Sequence, residues 1–154
     1  NVIKLFKNNE LLEKLSITKE TFNQLIDKYT YIPETEEQRK LVYELTKKCT
    51  HLALDRHAGD LKRVFTSSGQ KIIPEGKDLT QVEHIVLTGG ALINLDNTEE
   101  IITEYISKNP TKLLPNKNVK IHRDYDYIMA SVGVLSLKYP EHAIKLLKKS
   151  LRIE

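Results

Sequence analysis

The chain has 154 residues, 40% of them apolar and 29% charged, which suits one compact soluble domain or a part of a larger protein. A formal charge of +3 does not by itself call for a polyanionic partner, and no apolar run is long enough to cross a membrane. Lone Cys49 rules out an internal disulfide and fits a reducing, cytoplasmic setting. The chain begins at Asn1 without methionine or the apolar segment of a signal peptide, so a piece of a longer protein is one expectation.

Residues 1–34 read as a helical lead-in. Thr18 is placed to cap a helix, Ile17 and Phe22 to staple its start, and Phe22, Leu25, Ile26 and Tyr29 to form its apolar face. "YIPETEEQ" reads as a linker ending in a helix start, with Thr35 and Gln38 at capping-box spacing and Glu36 and Glu37 at the positive end of the helix. Leu41, Leu45, Cys49 and Leu52 mark one face of a long helix and predict a buried Cys49; Arg56 and His57 fall in its last turn, and Gly59 stops it.

Beyond Gly59 the pattern changes. "LKRVFTS" and "QKIIPEG" predict a hairpin turning at Ser68-Gly69, and Asp78 or Thr80 opens a short turn before the strand "EHIVLT". "NTEEIITEYIS" predicts a capped amphipathic helix stopped by Asn109-Pro110, and "NVKIH" another strand. "DYDYIMASVGVLSL" is apolar almost all round and predicts a buried helix, in which Ala130, Ser131 and Gly133 admit a neighbouring backbone. Asp124 and Asp126 suit helix caps better than catalytic acids, and Pro140 suits the first turn of a last helix. Strands alternating with helices imply an α/β domain.

The strand "HIVLT" runs into Gly89-Gly90, in a chain with only six glycines. A bare backbone at a strand-to-helix turn lets amides approach a ligand. A dinucleotide fingerprint needs a further glycine, yet residues 91–95 are Ala-Leu-Ile-Asn-Leu, and Gly76-Lys77-Asp78 lacks the rest of a phosphate loop. A tight turn without ligand and a turn holding the adenosine part of a nucleotide both remain open.

Residues 53–92, "ALDRHAGDLKRVFTSSGQKIIPEGKDLTQVEHIVLTGGAL", with "DYDYIMASVGVLS" resemble the C-terminal part of the glutamate mutase L family, often labelled MutL. These are accessory ATPases of cobalamin-dependent mutases, in the superfamily of actin, sugar kinases and heat-shock chaperones. The resemblance covers roughly residues 33–151. It implies an α/β fold, a mixed sheet flanked by helices, as the C-terminal half of an actin-like (ribonuclease H-like) ATPase, with 35–154 as that subdomain. It implies that Thr88, Gly89, Gly90 and Ala91 line the purine and ribose, with the 36–58 helix close by and Arg56 offered toward the nucleotide. Asp124, Asp126, Ala130 and Gly133 are second choices, Ala130 and Gly133 lying on a connecting helix. ATP or ADP is the implied cofactor, with Mg²⁺ expected only in the full-length protein. The implied partners are a cobalamin-dependent mutase subunit and the missing N-terminal half, whose motion on hydrolysis expels damaged cobalamin. No membrane is implied, nor nucleic acid, although Lys145, Lys148, Lys149 and Arg152 form a basic face on the last helix. The superfamily's first phosphate motif is absent: "RVFTSSGQK" has no aspartate before its Ser67, Ser68 and Gly69, so this chain is not expected to hydrolyse ATP alone and carries no catalytic residue.

Two alternatives belong to other classes. The MutL label is shared with DNA mismatch-repair proteins, whose metal-dependent endonuclease domain carries D-Q-H-A-x-x-E. "DRHAGDL" matches at Asp55, His57 and Ala58, but Arg56 and Leu61 replace the glutamine and glutamate, Asp60 is one residue displaced, and adding Cys49 and His51 gives no convergent set, so no metal site is expected. The other alternative is a protein-interaction module that keeps the fold without binding nucleotide.

Overall fold

The computed structural model describes residues 2–6, 9–28 and 32–153. Helices α1 (Glu10–Leu15), α2 (Lys19–Asp27) and α3 (Glu36–His57) come first, then strands β1 (Asp60–Thr66), β2 (Gly69–Glu75) and β3 (His84–Leu87). Helices α4 (Gly90–Asn94) and α5 (Thr98–Lys108), strand β4 (Lys120–Arg123) and helices α6 (Met129–Ser136) and α7 (Pro140–Leu151) complete the chain. Two compact units divide it at Ala53–Leu54, within α3.

The first unit is helical. Thr18 caps α2 by accepting from the Thr21 amide at 3.2 Å. The capping box at α3 forms both ways: Gln38 N donates to Thr35 Oγ1 (3.3 Å), and Gln38 Oε1 accepts from Thr35 N (3.1 Å). Phe6, Leu11 and Leu41 are buried, with Leu15, Phe22, Leu25, Ile26 and Leu45 packed on them. Cys49 is half-buried, not buried, because the α3 face beyond Leu45 leaves this core. Tyr29, expected on the α2 face, and Tyr31 of the linker lie outside the described residues.

The second unit is α/β. Its strands do not join into one mixed sheet among the described residues: β1 and β2 pair antiparallel, while β3 and β4 pair in parallel. The hairpin turns one residue earlier than expected, at Ser67-Ser68, because Gly69 takes φ +109° and pairs with Thr66. Asp78 Oδ1 accepts from Thr80 N at 2.9 Å and makes the turn before β3. At α5 the helix start is not capped by a side chain, since Asn97 is left-handed; Asn109 Nδ2 closes the other end on the Tyr105 carbonyl (2.7 Å). One face of β3–β4 is buried: Leu87, Ile85 and Ile121 join Ile102, Tyr105 and Ile106 of α5, Leu114, and Leu54 and Ala58 from the end of α3. Alternation along four-residue strands puts these side chains on one face and His84, Val86, Lys120 and His122 on the other.

The expectation of a buried, all-apolar α6 is corrected. Only Val132 of this helix is buried; Val134 is 71% exposed, and Ala130, Ser131 and Gly133 are exposed as well. Among the described residues, no heavy atom beyond its own helix and chain neighbours lies within 4 Å of where a Gly133 Cβ would stand, so none of their backbone packs there. Apolar composition states that a helix has surface to bury, not that this chain supplies the cover.

Candidate nucleotide site

In parallel sheets, ligands gather at the carboxyl ends of the strands. Here that edge carries Leu87-Thr88-Gly89-Gly90 after β3 and Arg123-Asp124 after β4. The two ends are tied together: the Asp124 amide donates to the Leu87 carbonyl at 2.9 Å, and Thr88 Oγ1 donates to Asp124 Oδ2 at 3.3 Å. Thr88 and Gly90 are exposed, while Gly89 and Ala91 are half-buried. Gly89 takes φ +100° with ψ 141°, a conformation that costs any other residue dearly, so the turn itself demands this glycine. Gly90 has no such demand. It opens α4, and among the described residues a Cβ there would meet nothing within 4 Å. The turn is therefore open rather than blocked by neighbouring side chains. Behind it the Gly89 and Gly90 carbonyls are occupied by Ile93 N (3.0 Å) and Asn94 Nδ2 (2.8 Å).

Asp124 is fully buried and acts as the junction of this edge. Besides Thr88, it accepts from Ser150 Oγ at 2.6 Å, the Met129 amide at 2.8 Å and the Ile128 amide at 3.1 Å. Burial opposes its charge, but the hydrogen bonds from Ser150, the two amides and Thr88 outweigh that and hold its pKa below the ordinary value. It caps the entry to α6, as its position suggested, and its lone pairs are spent, so it is no base or metal ligand. Asp126 does not cap: its backbone amide donates to Ser150 Oγ (3.1 Å), and the residue is exposed. Arg123 forms a two-toothed pair with Glu99 in the first turn of α5, raising the pKa of the arginine and lowering that of the glutamate. Arg56 stands exposed in the last turn of α3, a turn whose Leu54 shares the apolar core with Leu87 and Leu92 of the glycine edge. Ala130 and Gly133, the remaining second choices, are exposed on α6.

The "DRHAGD" stretch has a structural task. Lys112, nearly buried, places its ammonium 3.1 Å from Asp55 Oδ1 and 3.1 Å from Asp60 Oδ2, and also donates to the Asp55 carbonyl (2.8 Å). Tyr105 OH donates to Asp55 at 3.1 Å. Lys112 and then Tyr105 hold the Asp55 pKa down, while burial, reinforced by Asp55, pushes the Tyr105 phenol up. A cation already sits between the two carboxylates. His57 is exposed, and among the described residues no three His, Cys, Asp or Glu side chains are grouped to hold a metal.

Sequence reasoning missed two features of this unit. One is Lys112, whose partners lie 57 and 52 residues away. The other is His84 and His122, with Nδ1 and Nε2 2.9 Å apart and ring centroids 5.2 Å apart, so the rings meet edge to edge through their nitrogens. Beside them, at the amino ends of β3 and β4, a 310 Å³ cavity is lined by Thr80, Gln81, His84, Asn116, Asn118 and Lys120. It lies at the opposite end of the strands from the glycine turn.

The family model described as MutL protein matches residues 1–151. This chain belongs to the MutL protein family, the glutamate mutase L family that its motifs resemble. It is 32% identical over 122 residues to Protein MutL of Clostridium tetanomorphum, a match covering 78% of this chain and 26% of that protein. The matched region thus spans about a quarter of the relative's length. No solved structure matches. No described helix is long and apolar enough to cross a membrane.

Proposed function

We propose that this chain is the C-terminal adenosine-binding part, with residues 35–154 as the actin-like subdomain and 1–34 as its lead-in, of an ATP-dependent protein that reactivates a cobalamin-dependent mutase such as glutamate mutase, in the cytoplasm. The observation that carries the nucleotide reading is Gly90, a glycine that neither backbone conformation nor packing requires, facing open space at the carboxyl edge of a parallel pair. A purine and ribose fit against a backbone without Cβ atoms, with Thr88 and Ala91 beside them and Arg56 available from α3. The residues present fit that end of a nucleotide and not its metal. Asp124 is saturated and Asp55 and Asp60 hold Lys112, so phosphates and Mg²⁺ fall to another part of the protein. Family membership carries the link to the mutase.

The test is titration of ADP into the chain, followed by backbone amide resonances, with and without divalent metal. Shifts centred on Thr88 to Ala91 and the end of α3, independent of metal and abolished by Gly90→Val, are the expected outcome. Shifts elsewhere, or equal shifts in Gly90→Val, would remove the adenosine site; metal-induced shifts at Asp55 and His57 would instead revive the nuclease reading.

A further inference from the structure

The outer face of β3–β4 carries chemical groups that the adenosine reading does not use. The chain has five histidines, and two of them, 38 residues apart, meet there with His84 Nδ1 2.9 Å from His122 Nε2. The register explains the meeting. His84 pairs with Lys120 and Val86 with His122, so the two imidazoles stand diagonally on one face of adjacent strands. Beneath them Ile85 and Ile121 pack into the core, which fixes the backbone under both rings. The rings themselves are freer, His84 being exposed and His122 half-buried.

Two neutral imidazoles in contact share one N–H. If the donating ring moves that proton to its other nitrogen, two lone pairs face the same point and no proton is released. About 2.0–2.1 Å separates zinc from an imidazole nitrogen, so two adjacent nitrogens on one ion lie roughly 2.9–3.4 Å apart. The observed 2.9 Å is at the short end of that range, so the strands need not move; each ring has only to tilt its lone pair from the other ring toward the ion. Among the described residues no third His, Cys, Asp or Glu is grouped with them, so water completes the shell. The 310 Å³ cavity beside His84, lined also by the Gln81 and Asn118 amides, gives that water room and the ion an entry path. Charge selects the ion. Mg²⁺ and Ca²⁺ need oxygen donors, chiefly carboxylates, and would meet Lys120 opposite His84 instead. Neutral imidazole suits Zn²⁺, Ni²⁺ and Cu²⁺. Burial, then His84 and Lys120, hold the His122 pKa down and keep that ring in the neutral form a ligand needs. We propose that His84 and His122 form a two-imidazole site for a divalent transition ion of the zinc, nickel and copper class, which clips β4 to β3 at their amino ends. The carboxyl ends are already tied through Asp124 and Leu87, and the ion closes the opposite end.

The experiment titrates Zn²⁺ alone, and separately Mg²⁺ alone, into the metal-free chain at a pH above the histidine range. It reads the imidazole nitrogen resonances and the urea unfolding midpoint. Zn²⁺ should move His84 Nδ1 and His122 Nε2 together and saturably, and should raise the midpoint, because an ion held only by the folded pair stabilises it. Mg²⁺ should do neither. Loss of a ligand costs at least as much as loss of an outer-shell partner, so His84→Asn and His122→Asn should each weaken Zn²⁺ binding about tenfold or more. His142→Asn, which removes an exposed histidine on α7, should leave binding unchanged. The exposed position of His84 lets His84→Asn test the site in a folded chain, whatever His122→Asn does to stability. Zn²⁺ shifts confined to His51, His57 or His142, parent-like binding in both ring variants, or a midpoint unmoved by saturating Zn²⁺ would each overturn the site. A response to Mg²⁺ equal to that of Zn²⁺ would overturn the assignment to nitrogen ligands. None of these outcomes bears on the glycine turn, so the adenosine reading stands or falls separately.

Discussion

The second unit contains two two-stranded sheets built on opposite terms. The β3–β4 pair is short, four residues a strand, yet one of its faces is buried beneath α5 and its carboxyl edge is locked by Asp124. The β1–β2 hairpin is longer, seven residues a strand, and almost wholly exposed. Strand length therefore says little about which pair matters to stability. What separates them is the number of elements that converge on each, and the pair with the fewest ladder bonds holds the unit together.

The largest test of that contrast removes the lock. Asp124→Ala strands Ser150 Oγ and the Met129 and Ile128 amides in a buried place, and frees Thr88. Hydrogen bonds to a charged group are worth about 1.5–3 kcal/mol each, and they do not add fully, so a loss of about 4 kcal/mol is expected in urea unfolding. The sign with pH follows from the lowered pKa. Asp124 contributes stability that is present above the ordinary carboxylate value and lost as pH falls through its depressed folded value, and the alanine variant should lack that acid limb. An unfolding midpoint unchanged from the parent would show that the edge is held elsewhere.

A matched pair of truncations sharpens the comparison at smaller scale. Ile102 is 3% exposed beneath β3–β4, while Ile72 on the hairpin is 61% exposed. Ile102→Ala should cost about 3 kcal/mol as a core cavity, and Ile72→Ala should fall within about 0.5 kcal/mol. Equal costs would mean that the hairpin packs against the body of the chain more closely than its exposure states.

How much of this was legible in the sequence depends on the distance over which each signal acts. The Thr35–Gln38 box and the Thr18 cap operate within four residues and form as expected, and of the two residues that could open the turn before β3, Asp78 and Thr80, it is Asp78 whose side chain accepts the bond. The hairpin was placed one residue off because nothing local states that Gly69, rather than Ser68, takes the positive φ. Asp124 was recognised as a cap, but its reach to Ser150 and Thr88 depends on three elements meeting. Lys112 between Asp55 and Asp60 could not be read at all: "DRHAGD" looks metal-like until a lysine more than fifty residues later arrives between its carboxylates. The misreading of α6 has a different origin. Its composition reports a demand for burial that the described chain does not meet, which is why Val134 at 71% and Leu137 at 87% stand in solvent.

The smallest effect concerns the outer face of the well-held pair, where His84 and His122 share one N–H···N bond between adjacent strands. One ring must donate and the other accept, so both cannot carry a second proton and keep the bond. Burial first, then His84 and Lys120, lower the pKa of His122. The folded chain thus holds this ring neutral, and the unfolded chain takes up its proton first as the pH drops. The stability His122 contributes is full above the ordinary histidine value of ~6.5 and declines as pH falls from there toward its depressed folded value. Urea midpoints of the parent should drop across that window, and those of His122→Asn should stay flatter. If both fall alike, the titration belongs to another histidine, and the β3–β4 pair owes nothing to its exposed face. A flatter variant would mean that even this outer face adds a cross-strand tie, one for which the hairpin, with Phe65 and Ile72 turned to solvent, has no counterpart on its apolar side.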